Sequence, residues 1–163
     1  MTRVYVSIGS NIEPEHNVTL AVRSLRRRFG PLTASRVYRN AAVGFEGADF
    51  LNLVVGFDTV LAPAELVAEL RQLESEHGRA PSTRGFVPRT LDLDLLTYGQ
   101  CVVDGDGWHL PRREILTQAF VLGPLAEIAG DRLHPEAGRS FGALWREFPD
   151  PAPDLRPVAL SLE

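Results

Sequence analysis

The sequence predicts an α+β fold of the ferredoxin-like plait type: a central, mainly antiparallel sheet with flanking helices on one of its faces. Residues 4–96 alternate between strand-like and helix-like periodicity in the order β-α-β-β-α-β. The chain has the size of one domain, with 163 residues, and an ordinary globular composition of 44% hydrophobic and 23% charged residues. We therefore expect a single domain over residues 1–163, without a linker or a repeat.

The first two elements are predicted by a change of hydrophobic period. Apolar side chains alternate along VYVSIGS at residues 4–10, which indicates a strand. Residues 13–29 place their apolar side chains at helical spacing instead, and Gly30-Pro31 ends that helix. The helical positions are Val18, Val22, Leu25 and Phe29.

Two further strands are predicted at residues 32–39 and 50–60. In FLNLVVGFDTV the alternation is the clearer of the two, with Leu51, Leu53, Val55 and Phe57 on one face and Phe50, Asn52, Val54 and Gly56 on the other. Residues 40–49, NAAVGFEGAD, have two glycines and no period, so they form a loop that is long for a plain hairpin.

A second helix and a last strand complete the predicted plait. Residues 63–77 place Leu66, Leu70 and Leu73 on one face. The irregular, basic stretch GRAPSTRGFVP at 78–88 then leads into PRTLDLDLL at 88–96.

The rest of the chain has weaker patterns. We expect a short strand at 101–105, an apolar helix at 117–130 that Gly123-Pro124 interrupts, and a short helix at 140–148. Four prolines between 149 and 163 predict a tail that is extended on the surface or partly disordered.

The charged residues exclude several classes of chemistry. A net charge of −4 and a pI of about 5.6 argue against a general surface for nucleic acid or anionic membranes. All 17 basic residues are arginine, so a Schiff-base lysine, a phosphate-binding Walker lysine and a lysine general base are excluded. An anion must then be held by arginine, by backbone amides or through a cation.

Targeting and metal-site signals are weak. The sequence contains neither the apolar core of a signal peptide nor a run of about 18 apolar residues, which predicts a cytoplasmic protein. Cys101 is the single cysteine, so no disulfide and no cysteine-rich zinc site is expected. The four histidines lack metal-ligand spacing and are interpreted first as structural or exposed.

Two aspartates interrupt the leucines of the last predicted strand. Alternate residues of a strand project to the same face, so Asp92 and Asp94 lie on one side and the leucines on the other. Neighbouring carboxylates repel each other unless a cation binds them, and oxygen ligands without histidine or cysteine favour Mg²⁺ over zinc. The spacing alone fits equally well an edge strand with a solvated acidic face.

Arginines surround this strand in the sequence. Arg79, Arg84 and Arg89 precede it, and Arg112 and Arg113 follow it. Magnesium on paired carboxylates, with arginines around it, is suited to a polyphosphate, because the metal bridges phosphate oxygens and the guanidinium groups neutralise the remaining charge. For any single arginine, a solvated and ion-paired loop is the alternative.

An aromatic ring and a carboxamide share one face of the strand at 50–60. Phe50 can stack on a flat ring, and Asn52 can both donate and accept hydrogen bonds. The pair therefore suits a planar heteroaromatic ligand. A second hydrophobic layer that contains a satisfied asparagine is the alternative.

Six motifs occur in a fixed order: IGSN at 8–11, VYR at 37–39, FLN at 50–52, LESEHGR at 73–79, PRTLDLDLLTYG at 88–99 and FVLGPLAEIA at 120–129. With them, the sequence resembles the 6-hydroxymethyl-7,8-dihydropterin pyrophosphokinase family. Its members transfer pyrophosphate from ATP to a pterin alcohol in folate biosynthesis and release AMP. The aspartate motif is the most specific of the six.

The resemblance implies a nucleotide site. Asp92 and Asp94 would hold two Mg²⁺ ions on the triphosphate of ATP, and Arg79 and Arg89 would contact its phosphates. The further candidate nucleotide contacts are Glu74, Arg112 and His109.

The resemblance also implies a pterin site. Phe50 and Phe120 would sandwich the ring, and Asn52 would hydrogen-bond its edge. The loop that contains Asn40, Val43 and Gly44 would add backbone contacts, and Phe86 would lie in a mobile loop that closes over both substrates.

The expected partners are two small molecules, ATP and the pterin. We expect the protein to bind neither nucleic acid nor membranes and to be a monomer. A catalytically weak paralogue that binds pterin or nucleotide as a sensor is the second hypothesis, since Gly107 and Gln118 stand where many family members have arginine. A nucleic-acid-binding module is the third, and the acidic pI disfavours it.

Overall fold

The computed structural model describes residues 1–41, 48–77, 91–149 and 155–162. Its helices are α1 (Pro14–Phe29), α2 (Pro63–Glu76), α3 (Ala119–Ala129) and α4 (Phe141–Arg146), with a 3₁₀ turn at Arg113–Leu116. Its strands are β1 (Thr2–Ser10), β2 (Thr33–Ala34), β3 (Val37–Asn40), β4 (Phe50–Thr59), β5 (Asp92–Tyr98), β6 (Val103–Gly105), β7 (Trp108–Leu110) and β8 (Arg156–Val158).

One sheet organises the molecule. Its strand order is β5-β1-β4-β3-β8, with β2 also paired to β4, and each of these pairings is antiparallel. Together with the chain order β-α-β-β-α-β, this confirms the predicted α+β plait. Strands β6 and β7 form a separate hairpin.

The larger core lies between the sheet and the helices α1 and α2. Alternate side chains of β1, β4 and β5 bury against the inner faces of the two helices, including Val6, Leu53 and Leu93 from the sheet. The predicted inner residues of both helices are fully buried or nearly so: Val18, Val22, Leu25, Leu66, Leu70 and Leu73. The predicted helix stop is confirmed as well, since Gly30 has φ 87° and donates its N–H to the carbonyl of Arg26.

A second core covers the opposite face of the sheet. The two helices of the predicted plait, α1 and α2, share one face as expected, and the later helices lie on the other. Helices α3 and α4 pack there against Tyr5, Val54 and Leu96. Helix α3 also runs without interruption through Gly123 and Pro124, against the prediction. Packing against the sheet maintains a helix that proline would weaken in isolation.

The strand predicted at 32–39 is divided in two. Between β2 and β3, the hydroxyl of Ser35 accepts the N–H of Val54 at 3.0 Å, and the N–H of Ser35 donates to the carbonyl of Val54 at 2.9 Å. A side chain therefore replaces one backbone partner of the ladder, and the strand is interrupted there.

A bulge in β5 changes the face that its residues occupy. Leu95 is opposite Val6 and Thr97 is opposite Tyr5, which leaves Leu96 as the extra residue. Leu95 therefore packs into the first core and Leu96 into the second.

The tail contributes a strand that its prolines do not predict. Residues 155–162 are extended, β8 pairs with β3, and Leu160 and Leu162 pack against the first core. Arg26 donates to the carbonyl of Leu162 at 3.0 Å. Among the described residues, no helix is both long and apolar enough to cross a membrane.

Candidate functional site

A pocket of about 210 Å³ opens on the second face of the sheet, beside the first turn of α3. Strands β1, β3, β4 and β5 supply its floor, and α3 with the segment before it supplies its wall. It is lined by Ser7, Gly9, Asn40, Phe50, Asn52, Asp92, Asp94, Arg112, Glu114, Phe120 and Val121.

The two aspartates lie where alternation predicts them. Asp92 and Asp94 start β5 and face the pocket, whereas the leucines between and beside them are buried in the first core. Their neighbours on β1 are Gly9, opposite Asp92, and Ser7, opposite Asp94. These two small residues leave the space above the carboxylates open.

Asp94 is a largely buried carboxylate with a perturbed pKa. Its side chain is 14% exposed and lies 3.6 Å from Nη1 of Arg112 and 3.8 Å from Nη1 of Arg71. Burial, and then the negative charge of Asp92, raise the pKa of Asp94 to about 7, although both arginines act in the opposite direction. A cation bound by the pair would therefore displace a proton that is partly retained at neutral pH.

Glu74 lies behind the pocket in the structure. Its carboxylate, 2% exposed, accepts the N–H of Leu93 at 2.7 Å and a hydrogen bond from Arg71 at 3.1 Å. It is absent from the pocket lining, and its predicted nucleotide contact stays a prediction. Glu74 holds Arg71 beside Asp94.

Arg71 is a site residue that the sequence reasoning missed. It precedes Glu74 by three residues on α2, which places both side chains on the face of the helix that meets β5. That i, i+3 spacing was a usable signal, because Glu74 was already a candidate.

Two asparagines form the polar end of the pocket. Nδ2 of Asn52 donates to Oδ1 of Asn40, and Nδ2 of Asn40 donates to the carbonyl of Ala41 at 3.1 Å. Asn52 is 8% exposed, and within the described part of the chain no donor reaches its Oδ1. A buried acceptor is thus available to a ligand in the pocket.

Gly9 makes room for this amide. A Cβ at Gly9 would lie 2.7 Å from Oδ1 of Asn52, closer than any real Cβ approaches an oxygen. The glycine of the IGSN motif therefore serves a close approach across the strands, a role that the sequence reasoning did not assign.

Phe50 and Phe120 both line the pocket, one from β4 and the other from the first turn of α3. Phe50 pairs with Asn40 in the sheet, so the ring and the amides belong to the same floor. Sheet and helix thus present one aromatic side chain each, as the predicted sandwich requires.

The structure does not bring His109 into this pocket. It lies on β7, with Nδ1 2.6 Å from Oδ1 of Asp104 and Nε2 3.3 Å from Oε1 of Glu136. The hydrogen bonds to these two carboxylates, Asp104 first, raise the pKa of His109. His109 therefore lies apart from the aspartate pair, and its predicted nucleotide contact stays a prediction.

Six predicted residues lie outside the described residues: Val43, Gly44, Arg79, Arg84, Phe86 and Arg89. Their roles stay predictions. Arg112 is the predicted arginine that the structure places at the pocket.

The donors at the pocket suit a hard divalent cation. Asp92 and Asp94 offer carboxylate oxygens, and among the described residues no group of three histidine, cysteine or acidic side chains is arranged to hold a metal alone. Two carboxylates leave most of an octahedral shell to water and to a ligand such as phosphate, which is how Mg²⁺ is usually bound.

Comparisons with known proteins agree with this geometry. Residues 5–130 match the family model described as 7,8-dihydro-6-hydroxymethylpterin-pyrophosphokinase (HPPK). The "2-amino-4-hydroxy-6-hydroxymethyldihydropteridine pyrophosphokinase" of Pseudomonas aeruginosa is 36% identical over 151 residues, which cover 90% of this chain and 92% of that protein.

Two longer proteins are similar as well. The "Folic acid synthesis protein fol1" of Pneumocystis carinii is 32% identical over 159 residues, and the match spans 95% of this chain but 21% of that protein. A crystal structure of wild-type Plasmodium falciparum HPPK-DHPS superposes with a TM-score of 0.74 at 9% identity, covering 98% of this chain and 48% of that one. The similarity to the Plasmodium falciparum structure concerns the fold alone.

Proposed function

The chain belongs to the 7,8-dihydro-6-hydroxymethylpterin-pyrophosphokinase family, and on this basis we propose that its pocket transfers pyrophosphate from ATP to 6-hydroxymethyl-7,8-dihydropterin, with release of AMP. One observation carries the proposal. A paired carboxylate site and a flat-ring site share a single pocket, and the flat-ring site has a buried acceptor that no donor among the described residues reaches. A phosphate donor and a heteroaromatic acceptor can therefore meet there.

The pterin lies between Phe50 and Phe120 in this proposal. Its ring stacks on the two aromatic side chains, and a donor on its edge reaches Oδ1 of Asn52. Asn40 orients the Asn52 amide by accepting from its Nδ2. The hydroxymethyl group then points along the sheet towards Asp92 and Asp94.

The triphosphate lies over the two aspartates. Asp92 and Asp94 would hold Mg²⁺, which would neutralise charge on the phosphates when bound. Arg112 and Arg71 flank Asp94 and contribute further positive charge.

The reaction requires alignment rather than a strong base. A bond forms between the hydroxymethyl oxygen and the β-phosphorus, the bond from that phosphorus to the α,β-bridging oxygen breaks, AMP leaves with the bridging oxygen, and the hydroxyl proton passes to water. Binding both substrates in one pocket supplies the orientation, and the arginines stabilise charge on the phosphates.

The direct test is to incubate the protein with ATP, Mg²⁺ and 6-hydroxymethyl-7,8-dihydropterin and to follow AMP. We expect AMP and the pyrophosphorylated pterin in equal amounts. Two controls should give none: omission of Mg²⁺ with added EDTA, and the 6-methyl analogue, which lacks the attacking hydroxyl. Pterin binding without AMP formation would replace this proposal by the sensor hypothesis.

Gly9→Ala is expected to weaken pterin binding about tenfold, a loss of ~1.4 kcal/mol. The new Cβ would displace the Asn52 amide, from which it would be 2.7 Å away. Fluorescence titration of the pterin, in the presence of Mg²⁺ and α,β-methylene-ATP, measures the effect.

A double-mutant cycle checks that the loss acts through the amide. On an Asn52→Ala background, Gly9→Ala should change the pterin Kd by less than about twofold. A full tenfold loss on that background would contradict the explanation.

A further inference from the structure

Strand β3 and helix α3 lie side by side, and residues of the two elements face each other at two places along their length. Tyr38 and Asn40 are two residues apart on β3 and share a face, and Phe120 and Glu127 are seven residues apart on α3 and share a face. Asn40 and Phe120 line the pocket described above. Tyr38 and Glu127 line a neighbouring cavity.

At the second of these places, Tyr38 and Glu127 are in direct contact. Oη of Tyr38 donates to Oε1 of Glu127, and the backbone N–H of Arg36 donates to Oε2 at 2.8 Å. Nε of Arg36 lies 3.6 Å from Oε1. The two oxygens of one α3 carboxylate therefore bind Tyr38 of β3, the strand that carries Asn40, and Arg36, the residue that precedes this strand.

Tyr38 is suited to this contact. It is 8% exposed, and burial, followed by the hydrogen bond to Glu127, raises its pKa. The hydroxyl therefore keeps its proton, and remains a hydrogen-bond donor, over the pH range in which the enzyme would work.

We propose that Tyr38 and Glu127 are positioning residues that set the gap between the sheet floor and the α3 wall of the pterin pocket. The proposal rests on the proposed function, since it assigns the gap to a pterin. The sheet floor consists of Phe50, paired with Asn40, and of Asn52.

The distance between two aromatic side chains that stack on both sides of a ligand ring can vary little. A ring stacked on both sides needs each pair of ring planes in van der Waals contact, and a displacement of about 1 Å can cost two orders of magnitude in rate. Phe120 is held by its helix, and the helix is tied to β3 two turns further on. Loss of the contact between Tyr38 and Glu127 therefore changes the distance between the sheet floor and α3, but not the position of the aspartates on β5.

The test is Tyr38→Phe, which removes a single oxygen. With wild-type AMP formation established, we expect the KM for the pterin to rise about tenfold and the KM for ATP to stay within about twofold. The Kd of the pterin with Mg²⁺ and α,β-methylene-ATP should rise in parallel. Glu127→Ala should have the same selective effect, and adding Tyr38→Phe to it should raise the pterin KM no further.

Two comparisons separate positioning from general stability. Glu127→Gln keeps an acceptor oxygen and should restore the pterin KM to within about twofold of wild type. Tyr98→Phe removes another tyrosine hydroxyl from the sheet, one that donates to the carbonyl of Leu61 at 2.6 Å, and should lower Tm without changing either KM.

The proposal is overturned if Tyr38→Phe leaves pterin KM and Kd unchanged, or raises the pterin and ATP constants together. An inactive wild-type protein would instead refute the proposed function, and the pterin Kd of the variants would still decide the positioning role.

Discussion

Asp94→Asn is expected to reduce AMP formation by a factor of about 1000 or more at saturating ATP and pterin, with the fold unchanged. The amide keeps the shape of the side chain but loses the charge that would hold Mg²⁺ on the triphosphate. Asp92→Asn should have an effect of the same order, because the two carboxylates share one face of β5 and act on the same ligand.

The measurement is a coupled AMP assay with circular dichroism as the check on folding. Asp58→Asn is the matched control: this carboxylate lies at the far end of β4, pairs with Arg3 at 3.5 Å and is 52% exposed. Its turnover should stay within about twofold of wild type. Undiminished turnover in both Asp92→Asn and Asp94→Asn would refute the metal-binding role of the pair.

The stability of the ligand-free protein is expected to decrease as the pH rises from about 4 to about 8, and Asp94→Asn should remove much of that decrease. Because the folded-state pKa of Asp94 is raised to about 7 from 3.8, the folded protein holds a proton that the unfolded chain has released. This contribution is complete below the unfolded pKa and is lost as the pH passes the folded one.

Urea unfolding at pH 5 and pH 8 measures the effect. Relative to wild type, Asp94→Asn should gain about 3 kcal/mol in free energy of unfolding between these pH values. Excess Mg²⁺ should stabilise the wild-type protein more at pH 8 than at pH 5, since the ionised pair binds it. Parallel pH curves for wild type and Asp94→Asn would contradict the assignment of the raised pKa.

Strand alternation predicted much of the site. A period of two leaves no ambiguity about faces, so Asp92, Asp94, Phe50 and Asn52 could be placed on the pocket side from sequence. Phe120 and Asn40 came from the family resemblance, because no local pattern reports that α3 crosses the sheet next to β3. Such placement depends on long-range packing.

The features that the sequence did not predict also depend on long-range packing. Gly9 is recognisable only once Asn52 is seen to lie across it, and the role of Arg71 depends on the meeting of α2 with β5. Strand β8 follows a proline-rich stretch, and its pairing with β3 is supplied by the rest of the fold rather than by its own three residues.

Both outer strands of the sheet are poor templates for aggregation. On β5, the N–H of Leu93 is bound by Glu74, the carbonyl of Leu93 by Arg71 at 3.4 Å, and the carbonyl of Leu96 by the N–H of Arg112 at 2.8 Å. On β8, the strand is short and contains Pro157, which has no N–H to offer. Glu74, which holds Arg71 beside Asp94, and Arg71 itself thus also block the edge at which a second molecule could add a strand.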